Sequence, residues 1–144
     1  MSSVRPAARL RVRGFSLIEL MVVLAIVAIL TAIAVSSYLS YVLRSKVRTA
    51  QGDLVALSLN LENMLQRQLQ YPQVTTTSTD DTVQQFTGWH PAQINDFTYT
   101  VVSTKLGYTL TAAGIRGSLA TCKLTLDATG KRQVPGPCGS ITSW

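Results

Sequence analysis

The chain has 144 residues and a formal charge of +6, from 13 Lys and Arg against 7 Asp and Glu, with two cysteines and a single histidine. That length holds one modest domain. There is no metal-ligand spacing, no Gly-rich phosphate loop and no Ser, His and acid set, so the sequence predicts no catalytic residue, no metal site and no cofactor. The positive balance is weak support for nucleic-acid binding, because Arg5, Arg9, Arg11 and Arg13 lie together at the start and the remainder carries nine basic against seven acidic residues.

Residues 1–14 contain those four arginines, Pro6, a closing Gly14 and no acid, and read as a targeting leader. From Phe15 the chain turns apolar, and residues 20–43 contain no charge, Pro or Gly. At about 1.5 Å per residue this run extends about 36 Å as a helix, enough to cross a hydrocarbon core of about 30 Å. The helical pattern continues beyond it. Val47, Ala50, Leu54, Leu57, Leu61, Met64, Leu65 and Leu69 recur at spacings of three and four, while Arg48, Asp53, Asn60, Asn63 and Arg67 read as lying outside that stripe. Gly52, worth about 1 kcal/mol against a helix interior, and Leu59, off the stripe, fit less well. The pattern predicts one helix over about residues 15–70, on the order of 80 Å long, half in lipid (15–43) and half amphipathic against a domain (44–70). Tyr71-Pro72 ends it.

Residues 71–96 are polar, Thr-rich and aperiodic, and read as a connecting loop; Asp80-Asp81 reads as a solvated turn and His90 as a loop residue. Over residues 97–144 the period becomes two. Phe97, Tyr99 and Val101, then Tyr108, Leu110 and Ala112, then Cys122, Leu124 and Leu126 alternate with mostly polar residues, which predicts three antiparallel strands with one face buried. Turns fall at residues 105–107, 114–118 and 127–130, and residues 131–134 offer a short fourth strand. The fold class is α+β, a long N-terminal helix packed on a C-terminal antiparallel sheet. Cys122 and Cys138, in a chain with a membrane or export signal, read as a disulfide in an oxidising compartment; the alternative is two unpaired buried thiols.

The segment Gly14-Phe15-Ser16-Leu17-Ile18-Glu19-Leu20 is the most informative. Insertion alone gives no reason for Glu19, since a carboxylate deep in hydrocarbon costs about 2.5–3.5 kcal/mol unless it snorkels to the surface. The string resembles the class III signal peptides of type IV prepilins and secretion pseudopilins. That resemblance implies cleavage after Gly14 by a prepilin peptidase, N-methylation of the new terminus at Phe15, and a docking role for Glu19. The α-ammonium freed on Phe15 stays cationic at neutral pH, so in a fibre it would neutralise Glu19 of a neighbouring subunit, fixing assembly and register. Where many major pilins carry a Gly and a Pro in this helix, the chain has Ala28 and Ser36, which suits a minor pilin or a pseudopilin. The run of residues 121–130, with Cys138 and Trp144, looks most like PilE-type minor pilins, a group that includes DNA-receptor pilins of competence systems.

The resemblance implies a non-enzymatic subunit of a type IV pilus, serving pilus biogenesis, twitching motility or adhesion. Its expected partners are other pilin subunits, the peptidase and methyltransferase, the inner-membrane assembly machinery, and lipid before assembly. The expected location is the bacterial inner membrane, N-terminus cytoplasmic and C-terminal domain periplasmic, then the extracellular pilus. A type II secretion pseudopilin is the alternative, and a DNA-receptor minor pilin for natural transformation the second alternative. Lys105, Arg116, Lys123, Lys131 and Arg132 are candidate basic surface residues, with Lys123, Lys131 and Arg132 the candidate DNA contacts. Arg44, Lys46 and Arg48 read as marking the membrane exit. A rival reading, an ordinary secretory signal cut at Ala32-Ile33-Ala34, leaves Glu19 unexplained.

Overall fold

The computed structural model describes residues 14–144, so all but Gly14 of the leader expected over residues 1–14, including Arg5, Arg9, Arg11 and Arg13, lies outside the described residues. The chain divides into two compact units, the first reaching Ser37 and the second spanning Tyr38–Trp144. Helix α1 runs Leu17–Gln68. In the first unit it is apolar and exposed throughout, with a mean hydropathy of 2.8 in its best window, enough to cross a membrane by length and composition. Two hydroxyls that a bilayer would otherwise strand are satisfied locally: Thr31 Oγ1 donates to the Val27 carbonyl at 2.7 Å and Ser36 Oγ to that of Ile33 at 3.0 Å. The helix persists through Ala28 and Ser36.

In the second unit the predicted stripe is the buried face of α1. Val47, Ala50, Leu54, Leu57 and Leu61 are fully buried, and Met64 and Leu65 pack at the margin. Leu69 departs from the expectation. It is 87 % exposed with φ +58°, a left-handed residue that terminates the helix just before Pro72, so the stripe stops one turn earlier than its spacing suggests.

The segment 71–96, expected to be a loop, contains strand β1 (Val74–Thr75) and helix α2 (Thr79–Gln85). Its threonines are structural. Thr76 Oγ1 accepts the Val101 N–H at 2.8 Å, Thr79 Oγ1 accepts the Tyr99 N–H at 3.0 Å, and the buried Thr82 hydroxyl lies 2.9 Å from the Tyr99 carbonyl. Side chains thus cover a sheet edge whose backbone groups would otherwise go unpaired. Asp80-Asp81, read as a solvated turn, occupies the first turn of α2. Ser78 caps that helix by accepting the Asp81 N–H, and Asp81 accepts the N–H of Thr77.

Strands β2 (Phe97–Thr104), β3 (Gly107–Gly114), β4 (Lys123–Asp127) and β5 (Arg132–Gly136) follow, with a 3-10 turn at Gly117–Leu119. All five strands form one antiparallel sheet in sequential order. Alternation sorts its faces. Phe97, Tyr99, Val101, Leu110, Ala112 and Leu124 are fully buried in one core with the α1 stripe. The other face carries paired rows: Thr98, Ala113 and Lys123 in one, Thr100, Thr111, Thr125 and Gln133 in the next. Cys122 and Cys138 form a disulfide, both nearly fully buried, which ties the segment after β5 to the sheet. Closing this short loop stabilises by about 3 kcal/mol.

Candidate functional site

Phe15 is 75 % exposed and Glu19 lies in the exposed first turn of α1, where the helix dipole favours a carboxylate. Among the described residues neither side chain has an ion-pair or hydrogen-bond partner. Among the described residues, the geometry thus leaves an acid without a partner in the first turn of an apolar helix, where an unneutralised carboxylate is costly in lipid.

The basic residues singled out in the sequence sort into separate places. Lys123 projects from the outer face of β4, in the row with Ala113 and Gly136. Arg132 lies across from Leu126, about 10 Å along the same strand pair, with its guanidinium carbon 5.5 Å from the centre of the Trp144 ring. Lys131 precedes it in the β4–β5 turn, and all three are exposed. Asp127 shapes that turn: its Oδ1 accepts the Thr129 hydroxyl at 2.5 Å and the N–H groups of Thr129 and Lys131 at 2.9 and 3.1 Å. The Thr129 hydroxyl bond, against an opposing desolvation, holds the Asp127 carboxyl below its usual range, helped by the N–H groups of Lys131 and Thr129. The β4–β5 ribbon thus carries three exposed cations, of which Lys123 lies on the Thr-rich outer face, whereas Arg132, in register with the inward Leu126, projects toward Trp144 on the other side. Lys105 sits in the β2–β3 turn, and Arg116 in the β3–β4 connection beside Lys46 and Asp96, which form an ion pair at 2.9 Å.

Two acids that sequence reasoning passed over organise the second unit. Asp53, assigned to the solvent side of α1, is buried. Its carboxylate accepts the Tyr99 hydroxyl at 2.6 Å, the Ala92 N–H at 3.1 Å and the Gln93 N–H at 3.2 Å, while its carbonyl accepts the Trp89 indole N–H at 2.9 Å. Burial, and then the bond to Asp53, raise the Tyr99 phenol well above its ordinary range. Glu62 Oε1 accepts the hydroxyls of Tyr71 and Tyr108, each at 2.9 Å, and those two rings meet edge to face at 5.1 Å. The signal for Asp53 was its position three residues after Ala50 and four before Leu57, which places it on the buried stripe. His90 is exposed beside the buried Trp89.

A long apolar N-terminal helix continuing as the spine of a small antiparallel sheet, with a disulfide near the C-terminus and an acid in the helix's first turn, defines a type IV pilin. The comparisons agree. The prokaryotic N-terminal methylation motif matches residues 9–35, a span that includes Gly14, Phe15 and Glu19. The family described as "Type IV minor pilin ComP, DNA uptake sequence receptor" matches residues 36–142, and the chain belongs to that family. Similar curated proteins are a "Fimbrial protein" of Pseudomonas aeruginosa, 43% identical over 53 residues, covering 37% of this chain and 34% of that one. A "Type IV major alpha-pilin" of Moraxella bovis is 48% identical over 44 residues, 31% of this chain and 28% of that protein. A "Type IV major pilin protein PilA" of Myxococcus xanthus is 51% identical over 47 residues, 33% of this chain and 21% of that protein. The chain thus spans about a third or less of the length of these relatives. No solved structure matches it.

Proposed function

We propose that the chain is a DNA-binding minor subunit of a type IV pilus. In this reading it is cut after Gly14 and N-methylated on Phe15, and its apolar helix holds it in the bacterial inner membrane with the Tyr38–Trp144 unit on the far side. It then enters the fibre by helix packing against other pilin subunits. The observation that carries the reading is the family match over residues 36–142, which spans nearly the whole folded unit and is described as a DNA uptake sequence receptor. The sequence alone ranked this reading behind pilus biogenesis, twitching or adhesion, and the family match reverses that order. The secretion pseudopilin gains no support from it.

The physical supports are separate for the two activities. For DNA, the exposed Lys123, Lys131 and Arg132 on one β-ribbon offer phosphate contacts, and none of them is in an ion pair among the described residues. For assembly, Glu19 is costly in lipid, by about 2.5–3.5 kcal/mol, until a neighbouring Phe15 α-ammonium meets it. The work is binding and packing rather than catalysis: Asp53 and Glu62 serve tyrosine hydroxyls.

Deletion of the gene in its own bacterium, with complementation, separates the readings. The proposal predicts loss of entry of labelled duplex DNA with pili and twitching retained. Retained DNA entry with lost pili would return the subunit to biogenesis, and lost protein export would make it a pseudopilin. Mass spectrometry of the mature protein should find methylated Phe15 first; a terminus at Val35 or Ser36 would mark an ordinary secretory signal.

A further inference from the structure

A second basic feature lies away from the β4–β5 ribbon. Arg44 and Arg48, one helical turn apart on α1, line an open cleft of about 390 Å³ with Gln51 and the hydroxyl residues Ser140, Thr142 and Ser143. No acidic residue lines it. Arg44 Nε–H donates to Ser140 Oγ at 3.0 Å, which fixes the guanidinium while leaving its four Nη hydrogens directed elsewhere. Among the described residues the ion pair formed is that of Lys46 with Asp96, so neither arginine meets a carboxylate. The opposite wall is held in place. Ile141 packs against the core and bridges to Cys138, Cys138 is bonded to Cys122, and Trp144 packs under Arg132. Two forked cations and three hydroxyl residues lining one cleft supply the kind of donors that suit the oxygens of a phosphate ester.

The sequence says where that phosphate would come from. The uncharged apolar run ends at Leu43, and Arg44 is the next residue. Tyr38 and Tyr41, 66 % and 70 % exposed, precede it by six and three residues, the amphipathic aromatic pair expected at a membrane interface. Tyr41 also lines, with Arg44 and Arg48, the groove on the other flank of the two arginines.

We propose that the Arg44–Arg48 cleft binds the headgroup phosphodiester of an anionic glycerophospholipid, seating the folded unit on the membrane before the subunit is extracted into the fibre. This inference rests on the apolar helix residing in a bilayer and does not depend on DNA binding.

The test uses the full chain purified in detergent and titrated with phosphatidylglycerol, with lipid retention read by native mass spectrometry. At the usual contribution of a basic side chain near an anionic surface, the Arg44→Gln/Arg48→Gln protein should bind the lipid about 30-fold more weakly. Arg44→Lys/Arg48→Lys, which keeps charge and loses the forks, should fall between the two. A Lys123→Gln/Lys131→Gln/Arg132→Gln protein should retain the lipid like the wild type. All five substituted residues, Arg44, Arg48, Lys123, Lys131 and Arg132, are exposed, so thermal melts should match the parent and exclude misfolding. Equal retention by the Arg44→Gln/Arg48→Gln protein and the wild type overturns the proposal, as does equal loss in the β-ribbon variant, which would mean unspecific charge. If the arginine variant keeps the lipid and loses affinity for duplex DNA, the cleft belongs to the nucleic acid instead.

Discussion

Replacing Asp53 by alanine removes the acceptor that joins helix α1 to the Trp89–Gln93 segment and to β2. Three donors lose their partner: the Tyr99 hydroxyl and the N–H groups of Ala92 and Gln93. Tyr99 is fully buried, so its hydroxyl finds no water, and losing a bond to a charged acceptor there costs about 1.5–3 kcal/mol. Ala92 is exposed and Gln93 half-buried, so solvent replaces those bonds at about 1 kcal/mol together. Alanine returns about 0.5 kcal/mol of helix propensity. The expected net loss is about 3 kcal/mol, a large part of the roughly 5–15 kcal/mol that holds a domain. The assay is urea unfolding of the Tyr38–Trp144 unit, which contains every buried core residue among those described, followed by Trp89 fluorescence in a Trp144→Phe background. Trp89 is a local reporter, 5.4 Å from the Tyr99 ring. Tyr99→Phe alone should cost about 1–2 kcal/mol, and the double variant should cost less than the sum by about 1 kcal/mol or more. A loss below about 1 kcal/mol for Asp53→Ala, or strict additivity with Tyr99→Phe, would refute the claim that this carboxylate organises the unit.

Three further outcomes follow from the same geometry. Burial, and then the bonds to Asp53 and Glu62, raise the phenols of Tyr99 and Tyr108 above their unfolded value near 10. Their contribution to stability is therefore complete below about pH 10 and lost as pH rises beyond it, so absorbance at 295 nm should show both ionising only as the unit unfolds. Gly52→Ala should stabilise by about 0.5–1 kcal/mol and raise the melting temperature, because nothing lies within 4 Å of the added methyl. Reducing Cys122–Cys138 should cost about 3 kcal/mol in a thermal melt, with the segment after β5 losing amide protection first.

What the sequence reveals here depends on how local each cause is. The three main strands were legible because every second residue from Phe97, Tyr108 and Cys122 is buried, and a period of two survives in the sequence. Helix α1 was legible for the same reason at its own period. The segment 71–96 was not, since Thr76, Thr79 and Thr82 act through single hydroxyls on β2, contacts that leave no periodic trace. Leu69 fitted the stripe by spacing, and only its left-handed backbone takes it out of the core. Asp53 was misread because a charge on a helix is ordinarily solvated, whereas here tertiary donors from β2 and the Trp89–Gln93 segment offset its burial. Of the candidate site, the exposure of Lys123, Lys131 and Arg132 was readable from strand alternation and turn position. The stacking of Arg132 on Trp144 joins parts of the chain that no local pattern connects.

Binding of duplex DNA by the full chain in detergent, measured against salt concentration, bears most directly on the account. Each phosphate neutralised contributes about 0.9 to the slope of log affinity on log salt, so Lys123→Gln/Lys131→Gln/Arg132→Gln should weaken binding and flatten that slope by up to about 2.7. Wild-type protein with no salt-dependent DNA affinity, or a triple variant with the parent's slope, would contradict it.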